Sequence, residues 1–120
     1  MSAIVICGIP RSGKTAVARL LADRLPVRVV ESDAVTREGL DELRDELGGG
    51  DLQVVVLAPR LTALARRTSP AVVEEWGHLD DVMRRELSRT GVWIDSSSLS
   101  PEETVDAILQ SGLRPAAQPA

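Results

Sequence analysis

Short apolar runs alternate along the chain with segments in which apolar residues recur every three or four positions. The runs lie at residues 3–7, 27–30, 52–57 and 91–94 and are rich in Val and Ile. Such runs are typical of strands buried on both faces of a sheet, and the periodic segments between them predict amphipathic helices. Because the connections are short, the pattern predicts an α/β fold with a mostly parallel sheet of about four strands and helices on both faces.

Two of the predicted helices carry clear start signals. Ser69 and Pro70 stand at the N-cap and first position of a segment whose apolar residues follow a period near 3.6, which predicts the longest helix. Ser100 and Glu103 form a capping box ahead of the last helix. The predicted order of elements is therefore β, α, β, α, β, α, α, β, α.

Length and charge limit the classes of protein that fit this pattern. A chain of 120 residues allows one small domain, which we expect at residues 1–113, followed by a flexible tail at 114–120. The net charge of −4 counts against a stable nucleic-acid partner bound through bulk electrostatics. No apolar stretch is long enough to span a bilayer, and the N-terminus lacks the basic segment of a signal peptide. We therefore expect a cytoplasmic protein with no membrane partner.

The strongest chemical signal is the segment GIPRSGKT at residues 8–15, which matches G-x-x-x-x-G-K-[ST] between the first strand and the first helix. In this pattern the glycines let backbone N–H groups point at phosphates, the lysine reaches the β- and γ-phosphates, and the threonine hydroxyl coordinates Mg²⁺. Lys14 is the only lysine among fourteen basic residues, and it stands where a flexible ammonium is needed. We predict that ATP and Mg²⁺ bind through Gly8, Ile9, Pro10, Arg11, Ser12, Gly13, Lys14, Thr15 and Ala16.

Acidic residues follow the second strand, and the carboxyl ends of parallel strands face the ligand crevice in a sheet of this kind. Glu31 and Asp33 are the candidates. An acid at Asp33 could accept the proton of an attacking hydroxyl or hold a water on Mg²⁺. The alternative is that Ser32 or Asp33 caps the next helix. Arg37 could bind an anionic substrate group or stay solvated.

The chain resembles the small P-loop kinases and phosphotransferases in four segments, GIPRSGKT, ESDAVTR, VVVLAPRLTALARR and WIDSSSLSPEETVDAIL. This group includes proteins called AAA-family ATPases or zeta-toxin-like, and it is related to chloramphenicol phosphotransferase, gluconate kinase and shikimate kinase. The resemblance implies a P-loop NTPase fold of three α/β/α layers. It also implies a substrate-activating acid at Asp33 and a substrate-binding arginine near Arg37. A lid arginine that contacts ATP phosphates is implied at Arg66 or Arg67.

The middle of the chain departs from this group, because only residues 38–51 lie between the acidic segment with its arginine and the third strand. The group usually has a helix pair and a further strand here, so we expect one interior strand to be missing. The spacing from Asp33 to Arg37 is also one residue longer than the common D-x-x-R. A missing strand would leave an open sheet edge or a gap beside the first strand that a second copy could cover, so we expect a homodimer.

These features together predict an ATP-binding kinase that transfers the γ-phosphoryl group to a hydroxyl of a small-molecule acceptor. The predicted catalytic residues are Lys14, Asp33, Arg37, Arg66 and Arg67, and the predicted metal-binding residues are Thr15 and Asp33. The alternatives are a non-catalytic nucleotide-binding module and an NTPase that needs a partner to supply missing groups.

Three further residues have reactive side chains but no suitable neighbours in the sequence. Asp95 follows the fourth strand, and the resemblance implies a hydrogen bond to a neighbouring loop rather than a metal role. Cys7 is the only cysteine, which excludes an internal disulfide, and its apolar run predicts burial. His78 is expected to be exposed on the long helix.

Overall fold

The computed structural model describes residues 3–111, so the tail predicted at 114–120 lies outside the described residues. Within that range, four strands and five helices follow one another in the predicted order. The elements are β1 (Ala3–Cys7), α1 (Lys14–Arg24), β2 (Arg28–Ser32), α2 (Arg37–Glu46), β3 (Leu52–Leu57), α3 (Leu61–Arg67), α4 (Pro70–Glu86), β4 (Val92–Ile94) and α5 (Pro101–Gln110).

The four strands form one parallel sheet in the order β2-β1-β3-β4. β2 pairs directly with β1, so the strand that was expected to be missing leaves no gap beside β1. The register places Cys7 of β1 opposite Ser32 of β2 and Val56 of β3. The three strands therefore end at the same edge of the sheet, and the loops that follow them meet there.

Helices cover both faces of the sheet, which confirms the predicted three-layer arrangement. Alternate residues of β1 enter different cores, with Ile4 and Ile6 on the side of α1 and α5 and Val5 and Cys7 on the side of α2, α3 and α4. All five residues of β1 are buried. A strand covered on both faces must be apolar at every position, and this explains the uninterrupted apolar run in the sequence.

β2 lies at an edge of the sheet and is more exposed than its two nearest strands, β1 and β3. Arg28 and Glu31 are exposed, and the other three residues of β2 are half-buried. Charged side chains on an edge strand discourage uncontrolled pairing with another chain. The homodimer stays a prediction.

The start of α2 excludes one alternative that the sequence left open. Thr36 caps α2, because its Oγ1 accepts the N–H of the residue three positions on at 3.0 Å. Ser32 instead accepts a backbone N–H two positions on, at 3.0 Å. The helix therefore begins at Arg37, and neither Ser32 nor Asp33 caps it.

The other helix starts agree with the sequence signals. α4 is the longest helix, with 17 residues after Ser69. None of the helices within residues 3–111 is long and apolar enough to cross a membrane. At α5, Ser100 Oγ accepts the backbone N–H of Glu103 at 3.1 Å, and Glu103 Oε1 accepts the backbone N–H of Ser100 at 2.9 Å. The predicted capping box is thus present, and it fixes the end of the loop between β4 and α5.

The substitution Ser100→Ala removes one half of this capping box and should lower the free energy of unfolding by about 1 kcal/mol. Urea denaturation followed by circular dichroism measures the change. Ser98→Ala is the matched control, because Ser98 is exposed in the same loop and should leave stability within about 0.5 kcal/mol of the original. Equal stabilities of the two variants would contradict the role of the cap.

Candidate functional site

The loop between β1 and α1 turns sharply, and its glycines make the turn feasible. Gly13 is the N-cap of α1 with φ 94°, a left-handed conformation that glycine adopts without strain. At Gly8, an added Cβ would lie 2.5 Å from Ser12 Oγ and 3.0 Å from the backbone oxygen of Leu57. The loop is therefore packed against itself and against the end of β3.

Lys14 is the first residue of α1, and its side chain folds back into this loop. The side chain is only 7% exposed. Its Nζ donates to the carbonyl oxygens of Gly8 at 3.0 Å and Ile9 at 2.9 Å, and it pairs with Asp33 Oδ1 at 2.8 Å. The ammonium thus links the backbone of this loop to the acid that follows β2.

A second contact joins the start of α1 to β2. Thr15 Oγ1 donates to Glu31 Oε1 at 2.7 Å. Both carboxylates reach α1 because β2 is the direct neighbour of β1 and ends at the same edge. Asp33 is 69% exposed despite its ion pair, so water or a substrate can reach its carboxylate.

These contacts line an open cleft with a volume of about 480 Å³. Its lining residues are Pro10, Arg11, Gly13, Lys14, Thr15, Ala16, Glu31 and Asp33. The cleft brings together the predicted phosphate-binding lysine, the predicted metal-binding threonine and both acids. It therefore has the charged groups that phosphoryl transfer needs in one place.

The oxygen donors in the cleft suit a magnesium ion that is shared with phosphate. Thr15, Glu31 and Asp33 offer a hydroxyl and two carboxylates. Within residues 3–111, no three His, Cys, Asp or Glu side chains form a group that could hold a metal alone. Mg²⁺ usually takes only one or two protein carboxylates and completes its shell with waters and substrate phosphates. The donor set fits that pattern.

A second cavity of about 210 Å³ lies on the other side of Gly13. Its lining residues are Ser12, Gly13, Val17, Leu57, Arg67, Ser96, Leu99, Pro101 and Thr104. The walls are mainly apolar, and the hydroxyls of Ser12 and Ser96 are buried there without a hydrogen-bond partner among the described residues. Apolar walls with a few polar groups are typical of small-molecule sites.

Arg67 shapes this second cavity at the end of α3. Its guanidinium donates to the carbonyl oxygens of Ser96, of Ser97 at 2.9 Å and of Leu99 at 3.2 Å. One arginine thus binds three carbonyl oxygens of the loop between β4 and α5. The predicted role of Arg67 in contacting ATP phosphates stays a prediction.

The remaining predicted arginines lie apart from these cavities. Arg66 and Arg37 are exposed, and the side chain of neither forms a hydrogen bond or an ion pair with another of residues 3–111. Neither of them lines the cleft around Lys14. Their predicted roles in binding ATP or an acceptor also stay predictions.

The other reactive side chains have structural surroundings. Asp95 Oδ1 accepts the backbone N–H of Ser97 at 3.0 Å and its hydroxyl as well, and these hydrogen bonds lower the pKa of Asp95. Burial raises the pKa of the Cys7 thiol to about 12, so the thiol stays protonated at neutral pH. His78 is exposed as predicted.

Two parts of the site were not assigned from the sequence. Glu31 was only a candidate acid, and its hydrogen bond to Thr15 comes from strand pairing that the sequence does not specify. The second cavity was missed altogether, although one signal was present. Ser96 and Leu99 follow the carboxyl end of β4, which is the edge where ligands bind in a parallel sheet.

No protein-family model matches the sequence, and no curated protein is significantly similar to it in sequence. Solved structures of three bacterial kinases do match the fold. A sugar kinase from Janibacter sp. HTCC2649 has a TM-score of 0.69 and 16% identity, and the match covers 92% of this chain and 93% of the kinase.

The other two are also small-molecule kinases. A gluconokinase from Sinorhizobium meliloti 1021 has a TM-score of 0.63 and 20% identity over 91% of this chain and 90% of the enzyme. A shikimate kinase from Aquifex aeolicus vf5 has a TM-score of 0.62 and 15% identity over 91% of this chain and 94% of the enzyme. The chain therefore has the α/β fold of the P-loop kinases.

Proposed function

We propose that the chain is an ATP-dependent kinase that transfers the γ-phosphoryl group to a hydroxyl of a small molecule. The observation that carries this proposal is the 2.8 Å pair between Lys14 Nζ and Asp33 Oδ1 in the cleft beside the loop between β1 and α1. This pair places the Lys14 ammonium, which can bind a phosphate group, next to the Asp33 carboxylate, which can accept a proton from an attacking hydroxyl. The fold neighbours named as sugar, gluconate and shikimate kinases support a small-molecule acceptor.

The nucleotide would lie along the loop with its phosphates at the start of α1. Backbone N–H groups at a helix N-terminus and the helix dipole favour a bound anion, and the Lys14 ammonium adds a full charge. The second cavity has the apolar walls and the buried hydroxyls of Ser12 and Ser96 that suit a nucleoside. Gly13 lines both cavities, so one bound molecule could extend from one into the other.

The acceptor would enter from the exposed side of Asp33. Asp33 accepts the proton of the acceptor hydroxyl while the hydroxyl oxygen forms a bond to the γ-phosphorus. The bond from the γ-phosphorus to the bridging oxygen breaks, and ADP leaves with that oxygen. Lys14 neutralises charge on the phosphoryl oxygens during this transfer.

Magnesium fits the same arrangement. Thr15 would hold the ion through its hydroxyl, with Glu31 and Asp33 holding it directly or through its waters. When bound, it supplies positive charge against the β- and γ-phosphates. The Thr15–Glu31 hydrogen bond orients the hydroxyl oxygen in the cleft.

A non-catalytic nucleotide-binding module or a partner-dependent NTPase is the second candidate. The observation that favours it is the direct pairing of β1 and β2, which leaves Asp33 69% exposed. An acceptor bound at Asp33 would then be open to solvent on one side, and this favours nucleotide binding without transfer to an acceptor. Phosphate release with ATP alone, compared with phosphorylation of a panel of small hydroxyl compounds, separates the candidates.

The substitution Lys14→Ala should weaken ATP binding by roughly a hundredfold, because it removes the charged contact to the phosphates. Isothermal titration calorimetry measures the dissociation constant. Thermal unfolding checks that the loop survives the loss of the two carbonyl contacts. Arg19→Ala is the matched control, because Arg19 is an exposed cation on the same helix. Unchanged ATP affinity in folded Lys14→Ala would refute nucleotide binding at this loop.

The substitution Asp33→Asn should reduce acceptor phosphorylation by about 10²–10⁴-fold, because the amide cannot accept the hydroxyl proton. ATP affinity measured in EDTA should stay the same or rise, since the neutral amide competes less for Lys14. A coupled ADP-release assay and calorimetry measure the two effects. Asp23→Asn, an exposed acid on α1, is the control. Retained phosphorylation in Asp33→Asn would exclude Asp33 as the base.

The substitution Glu31→Gln should reduce the gain in ATP affinity that Mg²⁺ provides, because it removes one carboxylate beside Thr15. Calorimetry with Mg²⁺ and with EDTA measures the ratio of the two dissociation constants. The affinity in EDTA should not change. Glu42→Gln on the exposed surface of α2 is the control. An equal magnesium effect in both variants would remove Glu31 from the metal site.

A further inference from the structure

Arg11 has an unusual backbone conformation in the middle of the loop. Its φ is 71°, and it is the only non-glycine residue within residues 3–111 with a positive φ. A side chain at such a position strains the backbone, because its Cβ crowds the neighbouring carbonyl. Strained residues of this kind persist where the surroundings fix them, and they cluster at functional sites.

Arg11 lies in a turn whose geometry does not favour arginine. Ser12 N donates to Ile9 O at 3.2 Å, so residues 9–12 form a four-residue turn. Pro10 holds its second position, and Arg11 holds its third with positive φ. This is the arrangement of a type II turn, in which glycine or asparagine is preferred at the third position. Turn geometry alone therefore favours glycine at this position, so the turn does not explain why the residue is arginine.

The side chain of Arg11 lies where a phosphate-binding group would be useful. Arg11 is exposed and lines the 480 Å³ cleft together with Lys14 and both acids. Lys14 pairs with Asp33, and Thr15 donates to Glu31. Arg11 forms no hydrogen bond or ion pair within residues 3–111. It is thus the cation of the cleft whose charge is still available to a ligand.

We propose that Arg11 is a second phosphate-binding side chain, which holds the polyphosphate from the exposed side of the loop while Lys14 holds it from the buried side. This inference rests on the proposed nucleotide binding. A guanidinium presents paired N–H donors that match phosphate oxygens, so arginine offers more than a general positive charge. The strained backbone at Arg11 is retained because it carries this side chain into the cleft.

The substitution Arg11→Gly separates this role from a structural one. Glycine suits the turn, so the melting temperature should not fall, whereas the dissociation constant for ATP should rise about tenfold. Added salt should weaken ATP binding less in this variant than in the original protein, since one charged contact is lost. Arg11→Lys should give an intermediate affinity, because it keeps the charge and loses the paired donors. Arg19→Ala should change neither property.

The measurements are calorimetry with ATP and ADP and thermal unfolding of each variant. ATP affinity within twofold of the original in Arg11→Gly would overturn the inference. A rise in the KM for an acceptor with unchanged ATP affinity would also overturn it, because Arg11 would then bind the acceptor. If Arg11→Gly lowers the melting temperature, Arg11→Asn, which tolerates positive φ, decides in its place by the same affinity criterion.

The result can be distinguished from a failure of the proposed function. If the original protein does not bind ATP, nucleotide binding itself fails, and the inference fails with it. If the original protein binds ATP, Lys14→Ala weakens that binding as expected and Arg11→Gly leaves it unchanged, then only the role of Arg11 is wrong.

Discussion

The buried ammonium of Lys14 is the interaction on which the candidate site depends. A charged group with 7% exposure is stable only when its hydrogens find acceptors, and here two loop carbonyls and Asp33 provide them. The two carbonyl contacts also hold the loop between β1 and α1 against the Lys14 side chain. A bound phosphate group would offer stronger, negatively charged acceptors at the same place. The lysine therefore connects the shape of the loop to its capacity for an anion.

The position of β2 decides what lies next to that ammonium. Neighbouring strands in a sheet are about 4.8 Å apart, so a strand inserted between β1 and β2 would move Glu31 and Asp33 away from α1 by roughly that distance. Direct pairing instead brings both acids within hydrogen-bond distance of the first two residues of the helix. In the proposed reaction, an acceptor would reach Asp33 from its exposed side. The short middle of the chain thus makes the cleft compact and leaves its outer side open.

The loop between β4 and α5 forms the second half of the site, and three different interactions hold it. The capping box of Ser100 and Glu103 fixes its end, and the guanidinium of Arg67 holds the carbonyls along it. Asp95 fixes its beginning through Ser97. A loop held at so many points keeps the apolar cavity beside Gly13 open without any aromatic side chain. The chain has no Phe or Tyr, and neither Trp lines this cavity.

The sequence by itself determined the order of the elements, the three layers, the phosphate-loop pattern and the capping box at α5. These features depend on residues close together in the chain or on a repeating period, so they can be recognised in the amino-acid sequence alone. Only the tertiary structure decided that Thr15 contacts Glu31, that Lys14 contacts Asp33 and that Arg67 holds the loop after β4. Those partners are 16 or more residues apart, and strand order and register bring them together. Strand order results from packing of the whole chain, which no local pattern contains.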